Sequence, residues 1–286
     1  MTSSLQYARE LPGQGGLPKL VLTHPSGARA EIYRHGAQVT SWTTAHGVEQ
    51  LFLSEASAFD LTHPIRGGIP VIFPQFGGGT LPQHGFARVS EWQVGHTGLN
   101  DAGEVTALLR LTTSVETLAC WPYAFMLELE ARLGADTLAV RLRVRNTGAR
   151  AFPMQAALHT YFAVADIAHT TVHGLCGGAF IDSLCEDARG EETREVIAFA
   201  EETDRIYPAA PDTLAVADAG HVVTLTKSGM PDVVVWNPWI AKAQRMTDFG
   251  DDEYRRMVCV ETGLIDPPFA LAVGNEWVGE TVFTTK

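Results

Sequence analysis

Between Val105 and Arg145 polar and apolar residues alternate with a period of two. Val105, Ala107, Leu109 and Leu111 fall on one face, with Thr106, Arg110 and Thr112 among those opposite. Phe125, Leu127, Leu129, Ala131 and Leu133 then alternate with Met126, Glu128, Glu130 and Arg132. After Gly134-Ala135-Asp136, the residues Leu138, Val140, Leu142 and Val144 alternate with Ala139, Arg141, Arg143 and Arg145. Successive side chains of a strand point to opposite faces, so this pattern demands half-buried antiparallel strands, and the short turn makes a hairpin. Glu128 and Glu130 are expected across from Arg141 and Arg143, a solvated charge face rather than a site.

The rest of the chain gives the same signal in shorter pieces. Lys19–Thr23 meets the turn His24-Pro25-Ser26-Gly27, and Ala30 and Ile32 then alternate with Glu31 and Tyr33. Phe152–Val164, Val222–Thr226, Val233–Trp236, Arg256–Val260 and Trp277–Thr284 are short and mostly rich in β-branched or aromatic residues. The best helix candidate is Asp248–Arg256, with Thr247 as N-cap. Residues 1–16 read as a loose lead-in. Many strands with frequent Gly, Pro and Asn turns predict an all-β protein, a large antiparallel sandwich with a few short helices. No repeat, low-complexity tract or linker divides the chain, so residues 1–286 are expected to form a single domain.

The net charge of -12 argues against nucleic acid or an anionic membrane as partner, and it makes clustered arginines informative. No apolar run approaches a membrane span, and MTSSLQYARELPGQGG has neither the basic start nor the apolar core of a secretory signal. Cys120, Cys176, Cys185 and Cys259 show no Cys-x-x-Cys pairing. They read as reduced, mostly buried thiols of a cytoplasmic protein.

The stretch best suited to carry a site is Ile69–Arg88, IPVIFPQFGGGTLPQHGFAR. An apolar strand breaks at Pro74, passes through Gly77–Gly79, and ends by placing Gln83, His84 and Arg88 within six positions. The glycines allow close backbone approach, and a rigid loop bearing polar groups is where sites are usually found. Arg66 lies just upstream and could return to the same neighbourhood.

Three further candidates stand apart in the sequence. If Phe152–Phe162 is a strand, His159 shares a face with Gln155, Ala157 and Tyr161, neighbours that suit a cleft better than a core. Glu261 directly follows the apolar run Met257–Val260, where burying a carboxylate is costly without a role or partner. Asp204 lies in Glu201–Tyr207, which by itself reads as a solvated acidic run rather than a site. His169 and His173 are four apart, but the β-branched residues between them favour a strand over a metal-binding helix. Gly77–Gly79 is not a phosphate-binding nucleotide loop, since no Gly-Lys-Ser/Thr follows, and no Gly-x-Ser-x-Gly elbow occurs.

Taken together, five blocks in order resemble the aldose 1-epimerase superfamily, in its glucose-6-phosphate 1-epimerase (hexose-6-phosphate mutarotase) branch. They are GGIPVIFPQFG (67–77) with LPQHGFAR (81–88), ALHTYF (157–162), TDRIY (203–207), VVWNPW (234–239) and MVCVETG (257–263). The resemblance runs from about Arg29 to Phe283 and implies a supersandwich of antiparallel sheets. It implies His159 as general acid and Glu261 as general base. It further implies Arg66, Gln83, His84 and Arg88 around a sugar-phosphate pocket, and Asp204 on a sugar hydroxyl. Thr262 and Ala272-Val273-Gly274-Asn275 depart from the family's usual proline-containing segments.

Anomer exchange requires the C1 hydroxyl to lose a proton while the ring oxygen gains one, so two proton-transfer groups suffice. No cofactor and no metal is expected. The expected partner is a small-molecule hexose 6-phosphate, with no nucleic acid and no membrane, and the chain acting as a monomer. His159 and Glu261 are expected to face each other across a cleft wide enough for a pyranose ring. The competing functions are an epimerase of unphosphorylated aldoses, a non-catalytic sugar-phosphate-binding protein, and a carbohydrate-cleaving enzyme. The last would need a second carboxylate at the bond.

Overall fold

The computed structural model describes residues 7–285. The charged hairpin forms as the alternation demands. Phe125–Leu133 pairs antiparallel with Thr137–Asn146, setting Glu128 opposite Arg143 and Glu130 opposite Arg141. Val105–Thr112 flanks the pair on one side and Glu276–Thr285 on the other. These strands are the middle of a nine-stranded sheet. An eight-stranded sheet runs through Thr203–Tyr207, Asp232–Asn237, Met257–Leu271 and Phe152–Leu158, and a four-stranded sheet is built from the N-terminal strands.

The two large sheets pack face to face. Phe162 of the eight-stranded sheet meets Phe283 of the nine-stranded one edge-on, ring centroids 5.7 Å apart. Thr262 and Thr281 share a buried hydroxyl–hydroxyl hydrogen bond of 2.5 Å between the same sheets. The hydroxyl of Thr262 is thus part of the inter-sheet contact. Because side chains alternate along a strand, Thr262 facing inward turns Glu261 and Cys259 outward, onto the opposite face of the eight-stranded sheet. That outward face carries the site.

Several sequence expectations change. The lead-in is not all loose: Ala8–Pro12 is a strand paired with Pro18–Thr23, and residues 1–6 lie outside the described residues. It is mostly exposed and has no alternating signature, which is why it reads as coil. The helix expected over Asp248–Arg256 is instead two turns followed by a short 3-10 segment, Glu253–Arg256. Among the described residues the α-helices are Val115–Cys120, opened by a Ser114–Thr117 capping box, and Trp239–Ala243. Both are too short for an apolar stripe to show in sequence. Only Cys259 is buried; Cys120, Cys176 and Cys185 are exposed. No helix among the described residues is long and apolar enough to cross a membrane.

Candidate active site

The outward face of the eight-stranded sheet is a set of cross-strand rows. Ile181 pairs with Ile206, Ile206 with Val234, and Val234 with Glu261. In the next row Asp204 pairs with Trp236, Trp236 with Cys259, and Cys259 with Tyr161. Three blocks that lie far apart in sequence, around residues 204, 236 and 261, are therefore neighbours on one surface.

His159 completes the surface through a break in its strand. Phe152–Leu158 and Tyr161–Ala163 both pair with Met257–Leu271, and His159-Thr160 lies between them. Its amide donates to the Pro70 carbonyl at 3.0 Å, and the Tyr161 amide to Gly68 at 2.9 Å. This packing needs Gly67 and Gly68, which sit at positive φ; a Cβ there would stand 2.4 Å from the Phe52 carbonyl oxygen and 2.1 Å from that of Val39. In the Gly77–Gly79 stretch, added Cβ atoms at Gly77 and Gly78 would meet nothing within 4 Å, and one at Gly79 would stand 2.4 Å from the Gln75 side chain, so close approach of backbone to backbone is a property of Gly67 and Gly68 rather than of these three glycines.

A cavity of about 740 Å³ opens over these rows. Arg66, Gln83, His84, His159, Asp204 and Glu261 all line it. Arg88 does not: it is half-buried beside the cavity and donates through Nη2 to the Gln83 carbonyl at 2.8 Å. Cavity residues that sequence reasoning did not single out include Trp236 and Lys242. Trp236 lay within a recognised block; Lys242 arrives on a five-residue helix that left no periodic signal.

At the floor, His159 Nε2 stands 3.2 Å from Glu261 Oε1, with both side chains nearly fully buried. This corrects the expectation of a ring-wide gap. Glu261 Oε2 and His159 Nδ1 have no hydrogen-bond partner among the described residues. The Tyr161 ring stacks on the imidazole at 4.8 Å and 11°, and Trp236 meets both rings edge-on.

Burial sets the charge state of the pair. Burial, with the charge of Asp204, pushes the Glu261 carboxyl well above its usual range. Burial, then the neighbouring His84, Arg66 and Arg88, pushes His159 well below its own. Both shifts disfavour the charged forms of the two groups.

His84 is held in a conformation that side chains rarely adopt, φ 65°. Its Nδ1 accepts from the Gly77 amide at 3.2 Å, so the neutral ring carries its proton on Nε2. Burial and the charges of Arg88 and Arg66 push its pKa down to about 3, which makes it a neutral donor.

Arg66 is already engaged. Its Nε and Nη2 donate to Asp248 Oδ2 at 3.1 and 2.9 Å, and Nη1 to the Tyr161 hydroxyl at 2.9 Å. Asp204 is paired with Lys242 at 3.7 Å, yet burial still raises its carboxyl.

The family model described as aldose 1-epimerase matches residues 18–284, nearly all of the chain. The chain belongs to the aldose 1-epimerase family. Among similar relatives of this family is a protein of Cenchrus ciliaris named "Putative glucose-6-phosphate 1-epimerase", 41% identical over 96% of this chain and 86% of its own. One of the same name from Escherichia coli is 36% identical over 86% of this chain and 83% of its own. A Salmonella typhimurium crystal structure described as a "putative mutarotase" superposes with a TM-score of 0.90 at 29% identity, covering 100% of this chain and 95% of that one. The antiparallel supersandwich expected of the family is the architecture found.

Proposed function

We propose that this chain interconverts the α and β anomers of a hexose 6-phosphate, glucose 6-phosphate first among them, with Glu261 as base and His159 as acid. The observation that carries the reading is the buried 3.2 Å contact between the two side chains at the floor of the cavity. Glu261 takes the C1 hydroxyl proton, His159 protonates the ring oxygen, and the C1–ring-oxygen bond opens. Rotation about the C1–C2 bond and reclosure give the other anomer.

Proton counting supports this assignment. A carboxylate with an imidazolium holds as many protons as a carboxyl with a neutral imidazole. The closed ring needs the first pair and the open chain leaves the second. Burial disfavours the charged pair, so ring opening relieves the less stable state of the site.

The relatives' names support the phosphorylated substrate, as do two arginines on an acidic chain. Three of the five Arg66 N–H groups are used by Asp248 and Tyr161, whereas Arg88 gives one to Gln83. Arg88 is therefore the freer fork for a phosphate. Asp204 is assigned to a sugar hydroxyl, and Gln83 and His84 to the sugar-phosphate pocket. The same reading has the chain acting as a cytoplasmic monomer.

The test is anomer exchange followed by NMR at equilibrium on glucose 6-phosphate and on glucose, above the spontaneous rate. Glu261→Gln and His159→Asn should each lower kcat by about 10²–10⁴-fold with little change in affinity. Arg88→Ala should raise KM for the phosphorylated sugar roughly a hundredfold, the loss of about 2–3 kcal/mol from a charged contact, and should affect glucose less. Wild-type exchange by Glu261→Gln would remove the base assignment. Equal losses on both sugars would mean that Arg88 does not read phosphate.

A further inference from the structure

Behind the acid–base pair lies a third donor that the proposed reaction does not use. Cys259 is fully buried and sits two residues before Glu261 on the same outward face of Met257–Leu271. One ligand atom each from His159, Cys259 and Glu261 falls within 4.8 Å of the others. We propose that these three side chains form a site for a thiophilic divalent cation, zinc in the first place, whose occupancy blocks the enzyme.

The donor set is of the right kind. Zinc takes imidazole nitrogen, thiolate sulfur and carboxylate oxygen at about 2.0–2.3 Å in a tetrahedron, which sets donors roughly 3–4 Å apart. The His159–Glu261 separation of 3.2 Å already meets this. Glu261 has a second buried oxygen with no partner among the described residues, so one carboxylate oxygen can turn to the ion at no cost in existing hydrogen bonds. Three protein ligands leave a fourth position, and His159 and Glu261 both border the cavity through which an ion or water would arrive. The stacked Tyr161 and edge-on Trp236 supply a dry wall. On binding, the Cys259 thiol and the Glu261 carboxyl release their protons to solvent, and no electron is transferred. The bound ion occupies the lone pairs that the proton transfers require. Inhibition thus rests on the acid–base reading above; binding does not.

The experiment separates the two. Cys120, Cys176 and Cys185 are exposed and would also bind soft metals, so each is replaced by serine, leaving Cys259 as the single thiol. Cadmium is titrated into this protein, and the thiolate-to-metal charge-transfer absorption is recorded. We expect one site per chain, reversed by a chelator. Adding Cys259→Ser should abolish the band. Glu261→Gln, with its fold checked by circular dichroism, should retain the thiol but weaken cadmium binding at least about tenfold, as loss of even an indirect metal partner does. Zinc should inhibit anomer exchange, and Cys259→Ser should require at least about tenfold more zinc with its basal exchange unchanged. Absence of the band while Cys259 is present, or unchanged cadmium affinity in Glu261→Gln, would overturn the site. A normal band in a protein without anomer exchange would instead sink the catalytic reading and leave the metal site standing.

Discussion

Glu261 and His159 are held away from their ordinary charge states in opposite directions, and the sign of each shift fixes a limb of the pH profile. On the acid side the pair fails when His159 accepts an additional proton, which burial and the charges nearby postpone to well below the usual histidine range. On the alkaline side it fails when Glu261 loses its proton, which burial and Asp204 postpone upward. kcat should therefore stay flat through neutral pH, and a limb near 6.5, the value of a solvated histidine, would contradict a buried His159 acid. Asp204→Asn removes a negative neighbour of Glu261 and should move the alkaline limb down; Arg88→Ala removes a positive one and should move it up. His84 makes a separate prediction for stability. Its folded pKa of about 3 lies below the ordinary histidine value of 6.5, so the unfolded chain binds the extra proton first. Stability is lost as pH falls from 6.5 toward 3, and His84→Gln should flatten that part of the melting-temperature curve. The sequence brought His159, Glu261, Arg66, Gln83, His84 and Asp204 into view, and all six line one cavity. What it hid was what each side chain is tied to, because Arg66 and Asp248 are 182 residues apart in the chain.

At the scale of elements, legibility followed periodicity. Strands with one face buried and one wet, such as Phe125–Leu133, declare themselves; five- and six-residue helices and the exposed strand Ala8–Pro12 do not. The segment between Trp239–Ala243 and Glu253–Arg256 shows the cost of that blindness. The helix expected over Asp248–Arg256 would begin inside it, yet turns are found there and deliver Asp248 to Arg66. Both partners are partly buried, so the pair is shielded from solvent more than a surface bridge is. Asp248→Ala should leave Arg66 held only by Tyr161 and free to leave the cavity wall. The expected result is a rise of roughly tenfold in KM for the sugar phosphate, about the loss of one charged hydrogen bond, with kcat changed less. A fall in kcat at constant KM would place Arg66 in the chemical step instead.

At the scale of the whole molecule, the site depends on the sheets behind it without sharing their contacts. Phe283 of the nine-stranded sheet touches Phe162 of the eight-stranded sheet and Trp42 of the four-stranded one, ring centroids 5.7 and 6.2 Å away, and is fully buried. All three sheets thus meet at one ring. Removing it leaves a cavity that none of the three can close alone, so Phe283→Ala should cost about 3–5 kcal/mol. For a chain of this size each kcal/mol lowers the melting temperature by roughly 2–4 °C, so a drop on the order of 10 °C is expected. The His159–Glu261 pair lies on the other face of the eight-stranded sheet, since Glu261 points away from the interior that Thr262 enters. At a temperature well below the new melting point, kcat and KM should therefore match the wild type. The pair of measurements discriminates: lost stability with intact kinetics means the sandwich supports the site as a rigid platform. Lost kcat in a protein still fully folded would mean that packing between the sheets sets the 3.2 Å approach of His159 to Glu261.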